Sequence, residues 1–384
     1  MNDGIKRLCI GYTKCKQIPP LLPEALPESM NTVTVLDMGE FSGITIGLWE
    51  KLINCFTNVE VLNLAGTYMV TEDGKDSALV KIFFGENAFR KIRHFICGIA
   101  TAIPDDGTGD LFLSALWQWN RPLELLSFSD EIDLCSDISK APFAASLTVL
   151  HLRGPQDKDD FLIISGLINL KELFVEEVIA DDKILVETKK LSNLVHLHFK
   201  SFREKGCFSD SGFANLFELL EAGGKNRFPS KLKYLKLEGC CGFNERAADA
   251  LARNCPALES LNIRGINSMG ENAVLKIIRG IRELRFLNLS RFDDESQRSA
   301  IRSLEDGYLP HLKFLRIHYT KVPEETLRKL LLKRKDLLIN TRQGHVLTFT
   351  VRNGNPQFDE QFTGNQELLE NDLLGQPGYC CLKY

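Results

Sequence analysis

The chain has 384 residues, a formal net charge of −4, 44% hydrophobic residues and 26% charged residues. The slightly acidic balance argues against nucleic acid as a partner, which calls for a basic excess, and no run of about 18 apolar residues is available to span a membrane. The opening MNDGIKRLCI has no apolar stretch of the secretory kind, and eleven cysteines with no Cys-x-x-Cys pair read as reduced thiols in a cytoplasmic or nuclear setting, without disulfides or a zinc site.

Along the chain one pattern recurs. A Leu-x-x-Leu-x-Leu strand begins at Ile5, Val33, Val59, Ile92, Leu123, Leu147, Leu170, Leu194, Leu232, Leu258, Leu284 and Leu312, at intervals of 23 to 38 residues and mostly 23 to 28. A degenerate thirteenth starts at Leu337. That period is the signature of leucine-rich repeats. The first connection, KQIPPLLPEALPES, is proline-rich and reads as extended. Later connections carry helical patterns. In NERAADALARNC, Asn244 is the expected N-cap and Ala247, Ala248, Leu251, Ala252 and Cys255 share one face. GENAVLKIIRGIREL repeats the pattern. PEETLRKLLLKRKD places Pro323 at the first helical position, acids early and bases late, the order that the helix dipole favours. The long interval from Leu194 to Leu232 holds one helix, about 210–222, and a Gly-Lys-Asn loop. Pro256 ends a helix within three residues of the next strand, which lets successive strands run parallel.

The expected fold class is therefore α/β, a leucine-rich-repeat solenoid: a curved right-handed horseshoe with parallel strands on its concave face and helices behind them. Residues 1–344 make twelve to thirteen repeats. Residues 345–384 read as an edge strand (HVLTFTV, 345–351) followed by an acidic, disordered tail or loose C-terminal cap. From Asn353 to Cys381 that tail has no Lys or Arg but has Asp359, Glu360, Glu367, Glu370 and Asp372.

If the leucines point inward, the residues between them face solvent and line up in rows across the stacked strands. The row before the second leucine contains His196, Tyr234, Phe286 and Phe314. The row after it contains His151, Phe174, His198, Lys236, Asn262, Asn288 and Arg316. The next contains Arg153, Lys200, Arg264 and His318, tempered by Glu176 and Glu238. Exposed aromatics beside arginine are the material of interface hot spots. The expectation is a surface from His151 to His318 that binds an acidic protein segment with apolar anchors. A second candidate occupant is the chain's own acidic tail, with Phe358 and Phe362.

Residues 232–289, LKYLKLEGCCGFNERAADALARNCPALESLNIRGINSMGENAVLKIIRGIRELRFLNLS, resemble the cysteine-containing repeats of F-box/leucine-rich-repeat proteins. Cys240 lies in the turn after the strand, and Cys255-Pro256 matches the family's junction before the next strand. The resemblance implies a non-enzymatic module that recognises substrates, or serves as an adaptor, in a ubiquitin-ligase pathway, with ligase subunits among its partners. No F-box is visible before Ile5. Ran GTPase-activating proteins are also leucine-rich solenoids with acidic tails, so a GTPase regulator is the alternative. No catalytic motif of the nucleophile, P-loop, dinucleotide or zincin type occurs, and no cofactor is expected. His196 and His198 fall on the same side of one strand; with no Cys, Asp or Glu completing a metal site, they read as solvent-facing positions.

Overall fold

The computed structural model describes residues 5–10, 29–69, 76–99, 108–128, 138–153, 163–176, 182–201, 208–219, 228–266, 268–319, 321–342, 345–352 and 355–362. The first connection (16–28), the Gly-Lys-Asn loop and the tail from 363 onward lie outside them. The chain divides into two compact units, Met1–Leu173 and Phe174–Tyr384.

In the first unit the strands are β1 (Arg7–Cys9), β2 (Val35–Asp37), β3 (Ser42–Ile44), β4 (Val61–Met69), β5 (His94–Ile99), β6 (Leu125–Phe128) and β7 (Val149–Arg153). They form a parallel ladder in the order β1-β2-β4-β5-β6-β7, with β3 beside β4. Helices α1 (Ile46–Cys55), α2 (Asp76–Phe83) and α3 (Thr108–Gln118) follow successive strands. Here the core between strands and connections is aromatic: Trp49 stacks on Phe83 at 5.0 Å between centroids, and Phe83 meets Phe95 at 5.7 Å and Trp119 at 5.8 Å.

The second unit begins within β8 (Glu172–Glu176) and continues through β9 (His196–Lys200), β10 (Tyr234–Glu238), β11 (Ser260–Asn262), β12 (Phe286–Asn288), β13 (Phe314–Arg316) and β14 (Leu338–Arg342). These strands neighbour one another in chain order, and the register from β9 to β14 is parallel throughout. Their connections carry α4 (Asp182–Lys189), α5 (Asp210–Phe217), α6 (Glu245–Asn254), α7 (Glu271–Gly280), α8 (Asp294–Glu305) and α9 (Glu324–Lys333). Then the direction changes: β15 (His345–Arg352) pairs antiparallel with β14, and β16 (Asn355–Phe362) pairs antiparallel with β15. So β15 has a neighbour on each side, and a second strand occupies the start of the segment read as tail.

The chain is α/β, a leucine-rich-repeat solenoid in each unit. The aliphatic spine explains it. In the repeat of the CPALESLNI stretch, Leu258, Leu261 and Ile263 are all fully buried. The same holds for Leu284, Leu287 and Leu289, and for Leu312, Leu315 and Ile317, none more than 1% exposed. At roughly 1.5 to 3 kcal/mol per buried side chain, three per repeat dominate the local energetics. The first repeat differs, since Ile5 is 57% exposed.

Local chemistry sets the boundaries. Asn244 caps α6, its Oδ1 accepting the Ala247 N–H at 3.1 Å. Cys255 is the C-cap of that helix, its N–H donating to the Leu251 carbonyl. Pro323 takes the N-cap rather than the first helical position, and the helix of the long connection stops at Phe217. Six strands, β2, β4, β10, β11, β12 and β13, run into one recurring turn. Glu40, Gly66, Gly239, Gly265, Arg291 and Tyr319 occupy equivalent positions, and all have φ between 58° and 71°. The freedom of glycine is decisive at Gly239, where a Cβ would also lie 2.4 Å from the Ser201 carbonyl oxygen.

That turn explains one misfit. Asn262 and Asn288 were expected to face solvent, but they are 7% and 1% exposed. Each Oδ1 accepts the backbone N–H two residues on, from Arg264 at 3.1 Å and Ser290 at 2.9 Å. Asp37 and Asn63 do the same for Gly39 and Ala65 in the first unit. The row is thus a ladder of turn-closing side chains, because a buried N–H without a partner costs about 1 to 3 kcal/mol.

Candidate functional site

The strand face that alternates with the buried aliphatics carries the candidate residues. His151 and Arg153 lie half-buried on β7, in the first unit. The others belong to the second unit. Its register brings His196, Tyr234, Ser260, Phe286, Phe314 and Leu338 into one row, and His198, Lys236, Asn262, Asn288, Arg316 and Asn340 into the next.

On β8 to β10 the aromatic and imidazole rings touch. Phe174 lies 4.7 Å from His196 and 5.8 Å from His198, and His196 lies 5.7 Å from Tyr234, between ring centroids. Phe174, His196 and Tyr234 are half-buried. Burial among these rings, with Lys236 nearby, pushes the His196 pKa down to about 4, so this imidazole is neutral at physiological pH. His198 is not the solvent-facing residue expected: it is 3% exposed, with Nδ1 3.5 Å from Glu176 Oε1. The cations here have carboxylate neighbours. Lys200 Nζ lies 3.7 Å from Glu176 Oε2, and Lys236 Nζ lies 3.4 Å from Glu238 Oε1.

The face of β11 to β13 is built differently. Phe286 and Phe314 were expected to stand out as anchors, but they are 2% and 0% exposed. Their rings stack on each other at 5.4 Å with an interplanar angle of 10°, and Leu338 packs against the pair. Neighbouring strands are only about 4.8 Å apart, so two phenyl groups in register lie flat together instead of projecting. Arg316 covers both, its guanidinium carbon 5.8 Å from the Phe286 centroid and 5.7 Å from that of Phe314. The Arg316 Nε donates to Asn340 Oδ1 at 3.0 Å. That same oxygen pairs with His318 Nε2, and since it already accepts from arginine, Nε2 is the protonated nitrogen. Burial holds the His318 pKa below the usual imidazole value; the Asn340 bond opposes this, and Arg316 and Arg264 add to it. Arg264 is half-buried. Among the described face residues of these three strands there is no carboxylate.

Sequence reasoning missed Asn340. The signal was present in the degenerate LLIN repeat at 337–340, whose in-register position is this asparagine. Cys240 is buried, and its thiol lies 3.7 Å from the carbonyl oxygens of Phe199 and of Glu238, as a turn-closing donor. Burial pushes the Cys255 thiol pKa up, away from thiolate chemistry. Among the described residues no cluster of three metal-ligating side chains occurs, and no described helix is long and apolar enough to cross a membrane.

No family model and no curated protein matches the chain. Solved structures to which it is similar include a Bacteroides fragilis protein, at 18% identity over 74% of each chain and a TM-score of 0.43. The yeast Rad7 and Elc1 complex matches at 14% identity over 79% of this chain and 81% of that one, with a TM-score of 0.44. The Leptospira interrogans leucine-rich-repeat protein LIC12759 matches at 13% identity over 88% and 96%, with a TM-score of 0.41.

Proposed function

We propose that the open strand face of the second unit binds a protein segment that combines acidic and apolar side chains. One observation carries the reading. A ring cluster of Phe174, His196 and Tyr234 stands on the same sheet as Arg264, Arg316 and His318, and the described face residues of β11 to β13 include no carboxylate, that of Glu238 on β10 meeting them at Asn262. Half-exposed rings supply apolar area at low entropic cost, and arginine supplies planar recognition of carboxylates. Phe286 and Phe314 act from beneath, by fixing the guanidinium of Arg316. A role as substrate receptor or adaptor for a ubiquitin ligase is the finer form of this proposal, and it rests on the repeat pattern of residues 232–289.

The test is affinity purification of the full chain beside Tyr234→Ala, Arg264→Glu and a helix-side control, Arg253→Glu. The expected result is that specific proteins recovered with the parent and the control disappear from both face variants while melting temperatures stay equal. Recovery of the same proteins by all four overturns the reading. Ligase subunits among the lost proteins support the finer form; their absence removes it.

A further inference from the structure

We propose that residues 363–384 dock on the β11–β13 part of the strand face, so that the chain's own C-terminal segment competes there with an outside partner. The competition rests on the function proposed above; the docking does not.

The first argument is position. β16 ends at Phe362, which pairs with His345, and His345 pairs with Arg342 at the end of β14. β14 runs parallel to β13 with Asn340 opposite Arg316. The chain therefore leaves the hairpin at the level of His318. Three strand spacings separate β16 from β13 and five separate it from β11, roughly 14 and 24 Å at about 4.8 Å each. Residues 363–384 span on the order of 33 Å even if wound as a helix, and more if extended, so Arg264 is within reach.

The second argument is chemistry. The segment contains Glu367, Glu370 and Asp372 among Leu368, Leu369, Leu373 and Leu374, with Lys383 its one cation. The face offers Arg316 over a phenyl pair, with His318 and Arg264 nearby, and the described face residues of β11 to β13 include no Asp or Glu; the Glu238 carboxylate of β10 meets this face at its edge, through Asn262. Phe286 and Phe314 are shielded from water although they stand on the side of the strands away from the aliphatic spine. Among the described residues the apolar group packed against them is Leu338. An acidic segment fits the charge of Arg316 and Arg264, and its leucines fit beside the half-buried Leu338. The hairpin itself is committed to the sheet, which moves the docking segment downstream of Phe358 and Phe362.

Tethering makes weak docking sufficient. An attached segment acts at an effective concentration on the order of 1 mM, so an intrinsic dissociation constant of roughly 100 µM leaves it docked about ten times as often as not. A labelled synthetic peptide of residues 363–384, kept reduced, is the probe. It is titrated by fluorescence anisotropy against the full chain and against a full chain carrying E367Q, E370Q and D372N. The expected result is about tenfold tighter binding to the second protein, whose face is vacated, and a loss of at least tenfold when Arg264→Glu is added. Arg264→Ser, with an unchanged melting temperature, guards against a folding defect and should lose severalfold. Equal binding to the two full chains, or binding indifferent to both Arg264 variants, overturns the docking. The peptide assay needs no outside partner, so its failure is distinct from a failure of the purification experiment.

Discussion

The two halves of one strand face in the second unit solve the same problem differently. On β8 to β10 the rings stand half-exposed and the cations lie beside carboxylates: Lys200 with Glu176, Lys236 with Glu238. On β11 to β13 the rings are buried and the Arg316 guanidinium lies over them, held by the amide of Asn340. Both halves share one backbone register, so the difference comes from side chains alone. An ion pair on a half-exposed face is nearly neutral to a partner, because its field closes on itself and water screens the rest. A guanidinium held by phenyl rings and an amide keeps its full charge, because none of these partners is charged. The first half therefore offers shape and apolar area, and the second offers charge.

The sharpest way to break this comparison is to truncate a ring in each half. Phe314→Ala removes a fully buried ring and should cost about 3 to 5 kcal/mol in urea unfolding. Tyr234→Ala, half-buried, should cost less than half as much. Equal costs would mean that the two halves are packed alike.

A smaller effect comes from pH. His196 titrates near 4 in the fold and about 6.5 when unfolded. Between those values the unfolded chain binds the extra proton, so stability is complete above pH 6.5 and declines as pH falls towards 4. The loss should reach up to about 3 kcal/mol. In His196→Phe, which keeps a ring between Phe174 and Tyr234, this part of the slope should vanish. A parent and variant with superimposable pH profiles would show that the imidazole is well hydrated.

The smallest effect should be that of Lys236→Ala. Its pair with Glu238 spans 3.4 Å on a half-exposed surface, and its loss should change stability by under about 1 kcal/mol. Because Lys236 also depresses the His196 pKa, the variant should raise that midpoint, visible by NMR titration. An unmoved midpoint would separate the two groups electrostatically.

Much of the fold was legible beforehand because burial of aliphatic side chains is a periodic demand. The period placed the strands from Val33 to Leu337, and Asn244 and Pro256 marked the ends of a helix through local backbone chemistry. The rows followed from register, so Tyr234, Phe286 and Phe314 were correctly set in line. Their accessibility was not. Alternation along a strand tells which side a side chain leaves from, not what lies on that side. His198 was read as exposed and is covered by its neighbours; Asn288 was read as surface and closes a turn. The strand at 355–362 also escaped notice, since NPQFDEQF lacks a clean alternation and gains its place by pairing residue for residue with β15.

From its sequence alone, then, this protein is determined as a stack of α/β repeats with a mixed aromatic and basic strand face. Those properties depend on spacing and composition, which are written along the chain. Tertiary structure decided which rings of that face meet water, which cations are neutralised, and which amide holds Arg316 and His318 together. Most of these depend on contacts between residues 20 or more positions apart, such as Arg316 with Asn340, whose energies are set by three-dimensional neighbours.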